Sequence, residues 1–252
     1  MSIRIGDREI ARLGLGTNRL TETPANVEFV RAAVEAGVGM IDTAHLYTGG
    51  ASERTIGAAL AATPHRPIVA TKGGFHPGEG SRTVLAEQIE HSLRALRVDQ
   101  IDLFYLHRVD PQTPLEVSVE LIAEYHTAGK IDCVGLSQVG VAEIERARRI
   151  VPISAVQNHF NLVERGWDEV VDYCTRQGIA FVPFFPLRAD RPELADIAQR
   201  HGASPSQITL AWLLRRAAQV VPIPGTLSIE HVRENIAALD VELTDAEFAA
   251  LS

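Results

Sequence analysis

Short apolar runs alternate along this chain with longer stretches in which apolar residues recur every three or four positions. The short runs, rich in Val, Ile, Leu and Phe, predict strands over 13–16 (LGLG), 39–42 (GMID), 68–72 (IVATK), 101–107 (IDLFYLH), 133–137 (CVGLS), 155–158 (AVQN), 179–184 (IAFVPF) and 220–223 (VVPI). The longer stretches predict helices over 27–37, 53–62, 82–97, 114–129, 141–150, 167–178 and 204–217, with 228–239 (SIEHVRENIAAL) as the last. SIRI and REIA at the start predict a β-hairpin. Gly37, Gly129 and Gly178 stand where a left-handed residue ends a helix. Thr113-Pro114 and Ser204-Pro205 suit helix starts, with the hydroxyl as cap and proline in the first turn.

Eight strand-then-helix units, with strands apolar on both faces, predict parallel strands covered by helices. An open doubly wound sheet would carry a Gly-x-Gly-x-x-Gly turn after its first strand. Here the turn reads GLGTNRL and the match fails. Eight units in 252 residues fit a closed α/β architecture, a (β/α)8 TIM barrel with an N-terminal β-hairpin and short loops at the catalytic face. No linker or low-complexity segment divides the chain, so residues 1–252 are expected to form one domain.

A hydrophobic fraction of 46% marks a globular chain, and a net charge of −8 with a pI near 5.6 argues against nucleic-acid or anionic-membrane partners. No run approaches the roughly 18 apolar residues of a membrane span. The opening MSIRIGDREIARLGLG lacks the charged-then-apolar order of a signal peptide, so the expected location is cytoplasmic. Cys133 and Cys174 have no metal-ligand spacing; they read as buried, reduced thiols, and no metal is expected.

Polar residues close several of the strands. Asp42 ends the second, Lys72 the third, His107 the fourth, Ser137 the fifth and Gln157 the sixth. In a barrel these ends share one face, the face that holds active sites. Tyr47 follows Asp42 by five residues. A phenol, with an ordinary pKa of about 10, donates a proton at neutral pH only if its phenolate is stabilised. A lysine ammonium does this, a carboxylate keeps that ammonium charged, and an imidazole orients a carbonyl oxygen. Together the four residue types make a general acid aimed at a carbonyl; the hydride has to come from a cofactor.

The stretches LGLGTNRL, IDTAHLYTGGASERTIGAAL, IVATKGG, LRALRVDQIDLFYLHR, GKIDCVGLS, VQNHFN, FFPL and IPGTLSIEHVRENI resemble the aldo-keto reductase superfamily over nearly the whole chain. That resemblance implies reduction of an aldehyde or ketone with NAD(P)H, with NADPH preferred and NADH the alternative. It makes Tyr47 the proton donor, tuned by Lys72 and Asp42, with His107 orienting the carbonyl. It also implies a small-molecule carbonyl substrate and a monomer. Within the family the IPGT and PFFPL motifs resemble short bacterial members, some linked to pyridoxal, which makes pyridoxal a candidate. Two other readings of the same fold stay open: a non-enzymatic NADP(H)-binding regulatory module, and a biosynthetic reductase of an oxo intermediate or activated alkene.

By the same resemblance Gly16, Thr17, Asp42, Ser137, Gln138 and Gln157 meet the nicotinamide end of the cofactor, with Phe184 where the family has a stacked tyrosine. Pro186, Leu187 and Arg188 follow on that loop. Pro224, Gly225, Thr226, Ser228, His231, Glu234 and Asn235 match the adenosine-phosphate end. Gln138 stands for the usual asparagine and Phe160 for a tyrosine. Gly225 and His231 replace the Lys and Arg that often grip the 2′-phosphate of NADPH; His231, Arg233 or Arg188 is left to compensate. Thr17, His45, Leu46, Phe75, His76 and Arg108 are the candidate substrate wall, with Arg108 suited to an anion. After FFPL only RADRPELADIAQRHG follows, and the chain ends at LTDAEFAALS, so an open site with few lid contacts and fast cofactor exchange is expected. Trp167 and Trp212 read as packing, His91, His126 and His201 as surface residues, and RARR (146–149) as a solvated helix face.

Overall fold

The computed structural model of the chain describes residues 1–61, 63 and 66–252. Ala62, the last residue of the helix expected over 53–62, lies outside them. Strands β1 (Ser2–Ile5) and β2 (Arg8–Ala11) pair antiparallel, Ser2 opposite Ala11 and Ile5 opposite Arg8. Among the described residues, seven further strands form one parallel sheet in chain order. They are β3 (Gly14–Gly16), β4 (Met40–Asp42), β5 (Ile68–Gly73), β6 (Ile101–Leu106), β7 (Ile131–Ser137), β8 (Ala155–Gln157) and β9 (Ala180–Phe181).

The eighth strand expected over 220–223 does not form. Pro222 and Pro224 have no N–H to donate, which interrupts a ladder. Their carbonyls remain, and the segment hydrogen-bonds to both edges of the sheet. Gly14 and Gly16 donate to Pro222 and Pro224 at 2.9 and 3.1 Å, while Val221 donates to Phe181 of β9 at 2.8 Å. Arg12, buried, supports the same stretch by donating to the carbonyls of Leu214, Ala217 and Val220.

The helices are α1 (Pro24–Glu35), α2 (Ala51–Leu60), α3 (Arg82–Leu96), α4 (Leu115–Thr127), α5 (Val141–Arg148), α6 (Asp168–Gln177), α7 (Glu193–His201), α8 (Pro205–Arg216), α9 (Ile229–Ala237) and α10 (Asp245–Leu251). Gly37, Gly129 and Gly178 do take positive φ, as their positions suggest. Ser204 caps α8 in a reciprocal box with Gln207. Thr113 does not cap α4; its hydroxyl donates to Asp110, and Pro114 precedes the helix without a side-chain cap.

Two helices were not expected. In α7 the apolar stripe is only Leu194, Ile197 and Ala198, all buried. In α10 the capping box Thr244–Glu247 starts a two-turn helix whose Phe248 stacks on Trp212, and Trp212 stacks in turn on Phe160. Trp212 is fully buried and Trp167 partly so, both in the packing role assigned to them. His91, His126 and His201 are half-buried rather than surface residues: His126 bonds the Ile131 carbonyl and His201 pairs with Glu247.

Side chains of β6 divide by parity. Leu103 and Tyr105 join an inner cluster with Met40, Ala70, Val182 and Val221, against which Ile3, Ile5 and Ile10 of the antiparallel pair also pack. Phe104 and Leu106 face the helices in the main core. Gly135 of β7 leaves room for the Tyr105 ring, since a Cβ there would lie 2.4 Å from its Cδ1. Cys133 and Cys174 are buried and unpaired, and burial pushes their thiols up to about 11 and about 12. Among the described residues no helix is long and apolar enough to cross a membrane.

Candidate active site

The carboxyl ends of the parallel strands surround a cavity of about 820 Å3. Asp42 ends β4 and Lys72 is the fifth residue of β5; parallel pairing of these strands aims both side chains inward. Lys72 Nζ donates to Asp42 Oδ1 at 2.6 Å, to the Thr43 carbonyl at 2.6 Å and to the Tyr47 hydroxyl at 3.4 Å. Gln157 at the end of β8 donates to the other oxygen of Asp42 at 2.7 Å. Lys72 is wholly buried and Asp42 nearly so. Burial alone would lower the ammonium, but Asp42 and then Tyr47 hold it above its ordinary value. Burial raises the Asp42 carboxyl, against the pull of Lys72 and Gln157.

Tyr47 opens a 3-10 turn over Tyr47–Gly50 that leads into α2. Thr48, Gly49 and Gly50 all take positive φ there, and the bend brings the phenol back over the end of β5. His107 follows β6, and its ring centroid lies 6.1 Å from that of Tyr47. Its Nδ1 is buried without a hydrogen-bond partner among the described residues. Burial, then the positive charges of Lys72 and Arg108, lower this imidazole to about 2, so it is neutral at physiological pH. A neutral imidazole and a phenol beside a buried ammonium form a donor pair for one oxygen atom.

The cavity wall includes Gly16, Thr17, Ser137, Phe184, Pro186, Leu187, Arg188, Pro224 and Gly225 from the expected cofactor groove, and Leu46, Phe75 and Arg108 from the expected substrate wall. Phe184 has one face against His159, at 5.2 Å and nearly parallel. Arg108 lies over the Phe75 ring at 5.3 Å and donates to Ser137 Oγ at 3.1 Å.

Other expected residues sit elsewhere. Gln138, in a left-handed conformation, turns its side-chain oxygen to the His159 N–H at 2.7 Å and does not line the cavity. His45 does not line the cavity; its ring meets His91 edge-on at 4.8 Å and lies beside Glu53. His76 is exposed at the edge of Phe75. Thr226, Ser228, His231, Glu234 and Asn235 do not line the cavity; they run from the turn before α9 into its second half, where Ser228 caps the helix by accepting from His231 N–H and Glu234 accepts from Ser204.

Sequence reasoning missed Asn18, Arg19, Phe185 and Ile223 in the wall and the Thr43 carbonyl under Lys72. Asn18 and Arg19 stand in the GLGTNRL turn itself, so adjacency to a motif was the available signal.

Parallel strands in chain order, a cavity at their carboxyl ends and a buried Asp–Lys pair beneath a tyrosine define a barrel-like α/β oxidoreductase. The family model of the aldo/keto reductase family matches residues 12–190 and 188–252. This chain belongs to that family. It is 36% identical to an uncharacterised oxidoreductase of Schizosaccharomyces pombe across 99% of this chain and 88% of that protein. It is 33% identical to a pyridoxine 4-dehydrogenase of Escherichia coli across 98% and 96%. Among solved structures, a thermostable aldo-keto reductase in complex with the inhibitor epalrestat superimposes with a TM-score of 0.91 at 32% identity, covering 100% of this chain and 98% of that one. An aldo/keto reductase of Klebsiella pneumoniae in complex with NADP and acetate gives 0.89 at 28% identity, covering 99% and 93%.

Proposed function

We propose that this oxidoreductase reduces an aldehyde or ketone with NADPH, in a barrel whose eighth position is the proline-bearing segment 220–225. The carrying observation is Lys72 Nζ, which touches both Asp42 and the Tyr47 hydroxyl in a buried site beside a neutral His107. A nicotinamide cofactor fits the cavity. Phe184, Ser137 and Gln157 of the lining would hold a flat amide-bearing ring, and the exposed Arg19 and Arg188 at the rim would suit its phosphates. When bound, that cofactor supplies the hydride.

Tyr47 donates its proton to the carbonyl oxygen as negative charge develops there, and Lys72 stabilises the phenolate left behind. His107 donates a second hydrogen bond and sets the direction of approach. Asp42 keeps Lys72 charged, and Gln157 fixes Asp42. Leu46, Phe75 and Phe185 favour an apolar or aromatic carbonyl. The E. coli relative's name adds pyridoxal as the first compound to try.

Tyr47→Phe should lower kcat for reduction by roughly 100-fold or more while leaving NADPH binding, read by fluorescence titration, nearly unchanged. Undiminished turnover in that variant would sink the proposal.

A further inference from the structure

Behind the loop that carries Tyr47, three side chains from separate parts of the chain turn toward one point. They are His45 from the loop, Glu53 from the first turn of α2, and His91 from α3. One ligand atom from each lies within 4.8 Å of the other two, and His91 Nδ1 stands 3.7 Å from Glu53 Oε2. Among the described residues His45 Nδ1, Glu53 Oε2 and His91 Nδ1 are each buried without a hydrogen-bond partner. A fully buried carboxylate oxygen left in that state is costly, and two imidazole nitrogens beside it carry lone pairs or protons with nowhere else to go.

The geometry points to a divalent transition-metal site, of the class that takes Zn2+, with His45, Glu53 and His91 as ligands and one position open to water. Two imidazoles and a carboxylate are a ligand set that such ions favour. An ion with ligands about 2.0–2.2 Å away in tetrahedral array holds them roughly 3.4 Å from one another. The His91–Glu53 pair, at 3.7 Å, is within a few tenths of an ångström of this, and His45, within 4.8 Å of both, closes in on the ion as it binds.

The surroundings are those of a supported site. The other oxygen of Glu53 accepts from Thr71 Oγ1 at 2.6 Å, which fixes the carboxylate. Gly50 lies beside the His91 ring, where a Cβ would come within 3.2 Å of His91 Cε1 and 3.0 Å of Arg54 Nη1. The His91 side chain is 39% exposed and gives an ion a path from solvent. Since His45 precedes Tyr47 by two residues, an ion here ties the Tyr47 loop to α2 and α3. The inference stands on these three residues and does not depend on the reductase reading.

The full chain, stripped with a chelator, is titrated with Co2+ as a visible probe and then with Zn2+. One Co2+ per chain with the strong d–d bands of a four-coordinate ion, displaced by Zn2+ and accompanied by a higher melting temperature, is the expected result. His91→Ala, at a half-exposed helical position, should weaken binding by roughly 100-fold or more. X-ray absorption on the Zn2+-loaded wild type should show imidazole scattering. Absence of saturable binding, binding unchanged in His91→Ala, or a zinc shell without imidazole overturns the site.

Discussion

Replacing Asp42 by Asn removes the charge partner of a lysine that has no contact with water. The ammonium keeps the Thr43 carbonyl at 2.6 Å and the Tyr47 hydroxyl at 3.4 Å, and loses its carboxylate. Breaking a buried pair in this way costs about 3–5 kcal/mol. In a chain of this size each kcal/mol moves the melting temperature by about 2–4 °C, so Asp42→Asn should melt roughly 6–20 °C lower.

The pH dependence should also change sign. In the wild type Lys72 is raised above 10.5, so its contribution is complete below that value and is lost as pH climbs through the folded value. Without Asp42 burial dominates and Lys72 falls below 10.5. The folded variant then binds fewer protons than the unfolded chain, and its stability rises with pH toward 10.5 by up to about 1.4 kcal/mol per unit. Urea unfolding at intervals between pH 7.5 and 10 reads both slopes. Parallel curves for the two proteins would refute the assignment of Asp42 as the group that keeps Lys72 charged.

His107, lowered to about 2, costs stability below its unfolded value of 6.5, because only the unfolded chain takes up the proton there. Between pH 6.5 and 5 the wild type should lose up to about 2 kcal/mol more than His107→Asn in urea unfolding, and equal losses would contradict a buried neutral imidazole. Gly225→Lys should be tolerated, since a Cβ there meets nothing closer than the Gly16 carbonyl at 3.4 Å. Placed on the exposed rim, the new cation should shift preference toward NADPH over NADH by about two- to fivefold in paired titrations. A shift toward NADH would show that residue 225 does not face the 2′-phosphate.

Strand positions and the inward Asp42, Lys72, His107 and Gln157 were legible because short apolar runs and strand-end polarity are local signals. The eighth strand was not, because VVPI has a strand's apolar content while Pro222 and Pro224 remove the donors that a ladder needs. Helix α7 was hidden by its short apolar stripe, and α10 by a stability that comes from Phe248 on Trp212 rather than from its own seven residues. His45 was misplaced for a related reason. A loop residue between two site residues has no period to say which way it turns, and its partner His91 lies 46 positions along the chain.

The density of motif residues around IDTAHLYTGGASE follows from the strands having two faces. Lys72 points inward to Asp42, while its neighbour Thr71 points outward and bonds Glu53 on α2. Thr43 is divided in the same way: its carbonyl accepts from Lys72, and its hydroxyl bonds Ser52 at 2.8 Å, which in turn bonds Thr17 Oγ1 at 2.9 Å. Thr17 closes the circuit by donating to the Asp42 carbonyl at 2.8 Å. Thus Ser52 and Glu53 of α2 hold the ends of β3, β4 and β5 in register from the outside. The same strand ends hold Lys72 against Asp42 and the Tyr47 hydroxyl on the inside. A change at Ser52 or Glu53 therefore reaches the phenol without touching it, through the carbonyl of Thr43 and the placement of Lys72.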